Sequence, residues 1–452
     1  MTSPLEQLEP ICAQITPVGH AATTVLRISG QGAIEIVARF FAPAPKLLNS
    51  PSHCLIHGKI HDEQHQPLDD VLLSVFLSPH SYTGEDTVEI SCHGNPHLAN
   101  RIMQNLLLYA RIANPGEFTL RAYLNGKLDL SQAEAVNDLI HAQASKSEQA
   151  ALMQLQGILS QHLRDILERI SAARLRCELA IDFADQDLPQ IDLVDLRQRI
   201  QSLLQDTKQL ADKGEQGKHI REGIKICLAG APNSGKSSLF NAFLQQNRAI
   251  VTPHPGTTRD YLEESISLNG FPLVIYDTAG LRSSTDEVES AGIAKSYELM
   301  QNADLIILLL DSSALPSQHV PLIPAELSAK TIRVCSKADL LPATFTRKPD
   351  ALYCSANTPD GLEDLSAAIL SRLMLDENIL TQPLVTNARH LAALAKCNTA
   401  LQQAIATLDA ELGFEFIAFE LIAASHALEE ILGVISTDDL LESIFSNFCI
   451  GK

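Results

Sequence analysis

Gly230-Ala-Pro-Asn-Ser-Gly235-Lys236-Ser237 is the stretch whose reading decides the fold. It has the form G-x-x-x-x-G-K-S. The apolar run Ile224-Lys-Ile-Cys-Leu-Ala229 precedes it, and Ser238-Leu-Phe-Asn-Ala-Phe-Leu244, with helical spacing, follows. A strand, a glycine loop and a helix in that order build a phosphate cradle. Backbone N–H groups converge where no Cβ intervenes, and the helix start adds partial positive charge. Asn233, Ser234, Gly235 and Ser238 are expected to surround the phosphates. Lys236 reaches the β- and γ-phosphates, and the Ser237 hydroxyl ligates Mg²⁺.

Working downstream, four more strings stand in the order a GTPase requires. Gly256-Thr257-Thr258-Arg-Asp260 lies on a proline-rich loop, with Thr258 as the second candidate Mg²⁺ ligand and Thr257 beside it. Asp277-Thr-Ala-Gly280 ends a strand; Asp277 can hold Mg²⁺ through water, and the Gly280 N–H can bond the γ-phosphate. Loops ordered by that phosphate and released on hydrolysis form the usual switch. Ser336-Lys337-Ala-Asp339 follows a strand where Asn-Lys-x-Asp would read guanine. Asp339 still accepts two N–H bonds and Lys337 still covers the ring, but the Asn amide is lost, at a cost of about 1 kcal/mol. Ser355-Ala356-Asn357 stands where Ser-Ala-Lys would close the base pocket. Each string is weak alone; five in order at strand ends are strong. Leu281 occupies the place where many small GTPases carry a water-orienting glutamine. Asn233 serves either turn chemistry or ligation of a monovalent cation.

Around this unit the 452 residues leave room for other domains. Thr24–Ser29, Val71–Leu77 and Thr87–Cys92 read as strands, and Ala33–Phe40 and His97–Tyr109 as helices, giving a mixed α/β region. From Leu130 the pattern turns helical, with Leu152, Leu155, Leu159, Leu163, Ile166 and Ile170 forming one stripe. Lys213-Gly-Glu-Gln-Gly217 reads as a linker. Residues 222–374 alternate strand and helix, and Thr386–Phe448 is helical again. The expected class is therefore α/β plus all-α. It comprises an N-terminal α+β domain (1–124), a helical domain in two parts (125–221 and 375–452), and an inserted doubly wound P-loop G domain (222–374).

Composition narrows the function. The formal charge of −20, from 34 basic and 54 acidic residues, excludes a generic polyanion binder with a broad basic face. No apolar run approaches the ~20 residues of a membrane span, and no charged leader opens the chain, so a cytoplasmic protein is expected. The nine cysteines are scattered without a C-x-x-C pair, as expected of reduced thiols.

The chain resembles the tRNA modification GTPase MnmE (TrmE) family over nearly its whole length. The matching strings are Leu26-Arg-Ile-Ser-Gly30, Tyr82-Thr-Gly-Glu-Asp86, Pro115-Gly-Glu-Phe118, Leu124-Asn-Gly-Lys-Leu-Asp129, Gln132-Ala-Glu-Ala135, Asp277-Thr-Ala-Gly-Leu-Arg282 and the closing Phe448-Cys-Ile-Gly-Lys452. The resemblance implies an N-terminal domain that dimerises the protein and binds 5-formyltetrahydrofolate or a related one-carbon folate through Arg27, Glu89, Lys127 and Lys452. It implies that Cys449 acts in modification and that Glu289 positions the hydrolytic water. It also implies that K⁺ lies near Asn233, Thr252, His254 and Thr257. Implied partners are tRNA, GTP and an FAD-containing MnmG-type protein in a hetero-oligomer, which together install an aminomethyl-type group at C5 of the wobble uridine. On residue type alone, Arg27 and Glu89 are solvated strand charges, Lys127 is a turn lysine, Lys452 a disordered terminus, Cys449 a buried small hydrophobe and Glu289 a solvated helix start; only the resemblance singles them out. The chain departs from the family at Pro17-Val-Gly-His20-Ala21-Ala22, where Gly-Arg-Gly-Gly is usual, and at Ser336. Two other readings compete. A ribosome-assembly GTPase would carry a basic RNA-binding module, which this acidic chain lacks. A folate-binding scaffold with a merely switching G domain would not need Lys236, Ser237, Thr258 and Asp277 together.

Overall fold

A computed structural model describes residues 9–182, 192–231, 233–247, 263–277, 297–313, 323–342, 345, 351–358, 361–373, 375–376 and 378–452. The chain divides into two compact units, Met1–Asn137 with Glu429–Lys452, and Asp138–Leu428.

The first unit is built on seven strands: β1 (Ile11–Gln14), β2 (Thr23–Ser29), β3 (Phe41–Ala42), β4 (Cys54–His61), β5 (Pro67–Phe76), β6 (Thr87–His93) and β7 (Arg111–Ile112). Their order is β3-β4-β5-β6-β2-β1-β7, antiparallel except for the β1–β7 pair. Alternation along β2 turns Leu26 and Ile28 into a core shared with Val71, Leu73, Val88 and Ile90. Helices Ala33–Ala38 and Pro96–Leu106 add Val37, Ile102 and Leu106 to that core. The sequence pattern identifies β2, β5 and β6 to within a few residues and does not reveal β1, β3, β4 or β7. Residues 429–452 also belong to this unit. Helix Asp438–Phe445 lies against helix Glu117–Leu124, and the Tyr123 hydroxyl donates to the Gly433 carbonyl at 2.5 Å.

The second unit joins helices to a six-stranded sheet. Helix Leu193–Asp212 packs on helix Ala388–Asp409, tied by Arg197–Asp409 at 2.8 Å and by Thr207 donating to Asn398 at 2.6 Å. These two helices lie on either side of the sheet in sequence, so the α/β domain is an insertion in a helical one. The expected stripe from Leu152 to Ile170 is divided. Gly157, with φ +80°, ends helix Ser145–Leu155 before helix Ile158–Asp182 begins, which leaves Leu152 exposed while Leu159, Leu163, Ile166 and Ile170 are buried.

Residues 213–217 are not a linker. Gly214–Glu222 is a helix, and its glycines permit close approach: a Cβ at Gly217 would lie 2.0 Å from the Val385 carbonyl oxygen.

The sheet contains β8 (Ile224–Gly230), β9 (Glu263–Leu268), β10 (Phe271–Asp277), β11 (Leu305–Asp311), β12 (Thr331–Ser336) and β13 (Leu352–Tyr353). The order is β13-β12-β11-β8-β10-β9, parallel except for the edge strand β9. Leu305 through Leu309 are all buried, the unbroken apolar run expected of a strand covered on both faces. Strand order reverses beside β8, so the loop leaving β8 sits where doubly wound sheets bind ligands.

Candidate functional site

The loop after β8 has the backbone that its sequence requires. Gly230 (φ +154°) and Gly235 (φ +91°) occupy conformations disfavoured for other residues, and a Cβ on Gly230 would lie 2.7 Å from the Leu309 carbonyl oxygen. Asn233 is also left-handed, at φ +62°, a conformation asparagine tolerates. Turn chemistry is therefore one role it performs. Lys236 opens helix Lys236–Asn247; it is buried, and its ammonium donates to the Gly230 and Ala231 carbonyls at 2.9 Å each. Ser237 and Ser238 follow on the first turn, both exposed. The Ser234 hydroxyl is buried with no hydrogen-bond partner in the structure.

The base-reading residues gather beside this loop. A cleft of about 170 Å³ runs from Gly235 and Ser238 to Lys337, Asp339, Ala356 and Asn357. Lys337 follows β12 in a left-handed conformation (φ +56°), and its ammonium meets Asp311, at the end of β11, at 2.6 Å. Burial pushes the Asp311 carboxyl up, but bonds from Lys337 and Ser313 outweigh it and hold the group below the usual carboxylate range. The Asp339 carboxylate accepts from the Ser355 hydroxyl at 2.7 Å and from the Asn357 amide at 3.1 Å, and these bonds lower its pKa. Ser336, buried, donates its one hydroxyl proton to the Ser234 carbonyl at 2.6 Å, with the Leu310 carbonyl a second, longer acceptor at 3.2 Å. Its hydroxyl thus braces the phosphate loop. Sequence reasoning did not single out Asp311; its position at the carboxyl end of a parallel strand is the signal that could have found it.

Several candidate residues lie outside the described residues: Thr252, His254, Thr257, Thr258, Gly280, Leu281 and Glu289. Asp277 ends β10 in register with Leu228, and its side chain also lies outside the description.

A second cluster lies in the first unit. Arg27 on β2 and Glu89 on β6 are cross-strand partners, with Nη2 to Oε1 at 2.7 Å. The Arg27 guanidinium lies 5.4 Å from the Tyr82 ring centre and 5.3 Å from that of Phe118. The Phe448–Lys452 segment docks on the same region. The Gly116 N–H donates to the Cys449 carbonyl at 3.4 Å, and the Phe118 N–H donates to the Lys452 carbonyl at 3.1 Å. Burial first, then the charge of Arg27, holds the Lys452 ammonium below the usual lysine range, with Cys449 and Glu89 pulling the other way. Arg27, Glu89, Lys452 and Cys449 thus come together, although 425 positions separate the outermost pair in sequence. Cys449 is exposed. Lys127 is also exposed, on a turn, where its ammonium donates to the Pro79 carbonyl at 3.0 Å. Tyr82 and Phe118, which stand in the sequence only as members of the Tyr82–Asp86 and Pro115–Phe118 strings, flank the arginine with their rings. Beneath them Glu117 pairs with Arg111 at 2.5 Å and with Arg121 at 3.0 Å.

A phosphate loop at the switch point of a doubly wound sheet, with a Lys–Asp base cleft beside it, defines a P-loop protein of the guanine-nucleotide-binding class. The family described as the MnmE helical domain matches residues 130–449, and the GTP-binding protein TrmE N-terminus matches residues 10–127. The chain belongs to the MnmE family of tRNA modification GTPases. It is 39% identical to the tRNA modification GTPase MnmE of Aquifex aeolicus, covering 98% of this chain and 100% of that protein. It is also 39% identical to the Moorella thermoacetica protein of the same name, covering 98% and 99%. Among solved structures, the G domain of the T. maritima FeoB iron transporter is 30% identical, covers 33% of this chain and 98% of its own, and has a TM-score of 0.26. Among the described residues no helix is long and apolar enough to cross a membrane.

Proposed function

We propose that this chain is a K⁺-stimulated, cytoplasmic GTPase. With an FAD-containing MnmG-type partner, it modifies C5 of the wobble uridine of certain tRNAs with an aminomethyl-type group, using a one-carbon unit from a formyl-type tetrahydrofolate. The observation that carries the reading is the cleft joining the phosphate loop to Lys337 and Asp339.

The residues fit a guanine nucleotide. Asp339 accepts from the N1–H and 2-amino edge, Lys337 covers the ring, and Ala356 flanks it. The backbone at Gly230 and Gly235 leaves room for the phosphates, the Ser234 hydroxyl is buried in the loop without a partner, and Lys236 exchanges its loop carbonyls for phosphate oxygens. Ser237 and Thr258 would hold Mg²⁺, backed by Asp277; bound there, the ion supplies charge neutralisation at the β- and γ-phosphates. Asn233, Thr252, His254 and Thr257 would surround K⁺. Glu289 orients the attacking water, a task the aliphatic Leu281 cannot perform.

The first unit fits an anionic folate. Arg27 and Lys452 supply positive charge for its carboxylates, Glu89 holds Arg27, and Lys127 contributes from the neighbouring turn. Cys449 stands exposed close to this cluster and serves the modification step. The N-terminal domain also forms the homodimer.

Steady-state GTP turnover tests the reading. Lys236→Ala is expected to abolish it, and wild type is expected to be faster in KCl than in NaCl at equal ionic strength, a difference that Asn233→Ala removes. Turnover by Lys236→Ala within tenfold of wild type, or equal rates in both salts, overturns the corresponding assignment. Mass spectrometry of wobble uridine in a deletion strain carrying Cys449→Ser is expected to find the modification missing; normal modification makes the cysteine structural.

A further inference from the structure

We infer that Asn357 is a specificity-determining positioning residue, whose carboxamide fixes the plane of the Asp339 carboxylate for the guanine edge. The inference rests on the GTP reading above and concerns how this chain compensates for Ser336. A carboxylate offers about four lone-pair sites. In Asp339 both oxygens are held from within the protein, Oδ1 by the Ser355 hydroxyl at 2.7 Å and Oδ2 by the Asn357 amide at 3.1 Å, with the residue's own backbone N–H adding a third contact. Two side-chain donors from one short segment hold both ends of the group and so fix the plane in which it meets a ligand. Asn357 itself is placed by its backbone N–H, which donates to the Ser355 hydroxyl at 3.1 Å. Ser355, Asn357 and Asp339 thus form a closed ring of hydrogen bonds at the cleft.

This ring matters because no amide is available from position 336. The Ser336 hydroxyl is turned to the Ser234 and Leu310 carbonyls. Among the described residues lining the cleft, Asn357 carries the side-chain amide. Guanine presents N1–H and the 2-amino group as two parallel donors with fixed separation. Two such donors require a carboxylate held in one plane, whereas a single donor can follow a rotated oxygen. Removing the Asn357 restraint therefore penalises guanine more than hypoxanthine, which retains N1–H and lacks the 2-amino group.

The test uses the full-length chain and calorimetric binding of GDP, IDP and ADP. Asn357→Ala is expected to weaken GDP about fivefold and IDP by less than about twofold, so that GDP-over-IDP preference shrinks. Asn357→Asp, which sets a second carboxylate against Asp339, is expected to weaken GDP further. Equal weakening of GDP and IDP, or no change in either, with an unaltered melting temperature overturns the inference, because a purely structural side chain cannot discriminate between the bases. Wild-type protein that binds GDP no better than ADP instead overturns the guanine-nucleotide reading itself.

Discussion

Replacing Gly451 by alanine should release the end of the Phe448–Lys452 segment without unfolding the unit on which it docks. Gly451 has φ +99°, which costs a side-chain-bearing residue of order 1–3 kcal/mol. An added Cβ would also lie 2.7 Å from the Gln14 carbonyl oxygen and 3.1 Å from the Ile15 Cα, backbone atoms that cannot swing aside. Overpacking of that kind costs roughly 1–3 kcal/mol. Against a combined penalty of about 2–6 kcal/mol, the last residues are held by the Phe118 N–H bond to the Lys452 carbonyl, about 1 kcal/mol, and by partial burial of Lys452. The penalty exceeds the restraint, so Gly451 and Lys452 leave. Phe448, 6% exposed and with its ring centre 5.2 Å from that of Phe445, remains, because its burial contributes about 1.5–3 kcal/mol. Phe118 lies in the first turn of helix Glu117–Leu124, where an amide has no intrahelical acceptor. Hydrogen exchange read on a peptide covering that turn should therefore show the Phe118 amide losing protection by at least tenfold, while peptides from β5 and β6 stay unchanged. Binding of 5-formyltetrahydrofolate should weaken in parallel, because Lys452 departs from Arg27. Unchanged protection at Phe118 would refute the steric argument, and equal loss across β5 and β6 would refute the claim that the effect is local.

Ser336→Ala removes the donor that braces the Ser234 carbonyl; a loss of about 1 kcal/mol should weaken GDP several-fold by calorimetry, and unchanged affinity would show that the brace is idle. Burial pushes the Glu117 carboxyl up, but Arg111, the Asn114 N–H and Arg121 outweigh it and hold the group below its ordinary range. A depressed carboxyl contributes stability present above its unfolded pKa and lost as pH falls through the folded value. Glu117→Gln should therefore destabilise the protein by about 3 kcal/mol at neutral pH in denaturant titrations, with the difference vanishing in acid; a difference that persists in acid would contradict this. Gly217→Ala raises helix propensity by ~1 kcal/mol, yet the Val385 carbonyl 2.0 Å from the new Cβ should reverse the sign, so the melting temperature should fall; a rise would mean that the two segments separate easily.

The α/β insertion was legible because each of its signals is local. The unbroken apolar run of β11 and the glycine loop after β8 need no distant partner to be recognised. The base-reading string remained readable despite Ser336, because Lys337 and Asp339 keep their spacing. In the first unit the two-residue strands β3 and β7 are too short to carry a period, and in β4 the exposed Leu55 and the inward-facing Gly58 break the alternation that Ile56 and Ile60 would otherwise show. Residues 213–217 misled because glycines that permit close helix packing have the same letters as glycines that loosen a chain. The approach of Lys452 to Arg27 has no local signature at all. Resemblance to a family suggested it, and the fold brings the two together through contacts hundreds of residues apart.

That approach has a consequence for how the protein is made. The first unit takes its sheet from residues before Asn137 and its last helix and closing segment from residues after Glu429. A ribosome adds the intervening stretch, roughly 290 residues, at ~5–20 residues per second. For about 15–60 s, then, the emerging sheet stands with its Gly116–Phe118 turn uncapped and Tyr123 without its Gly433 acceptor, while the other unit is synthesised and folds. The Arg27, Glu89 and Lys452 cluster is assembled only at the end of translation, so a truncated chain can carry a finished G domain and lack this cluster.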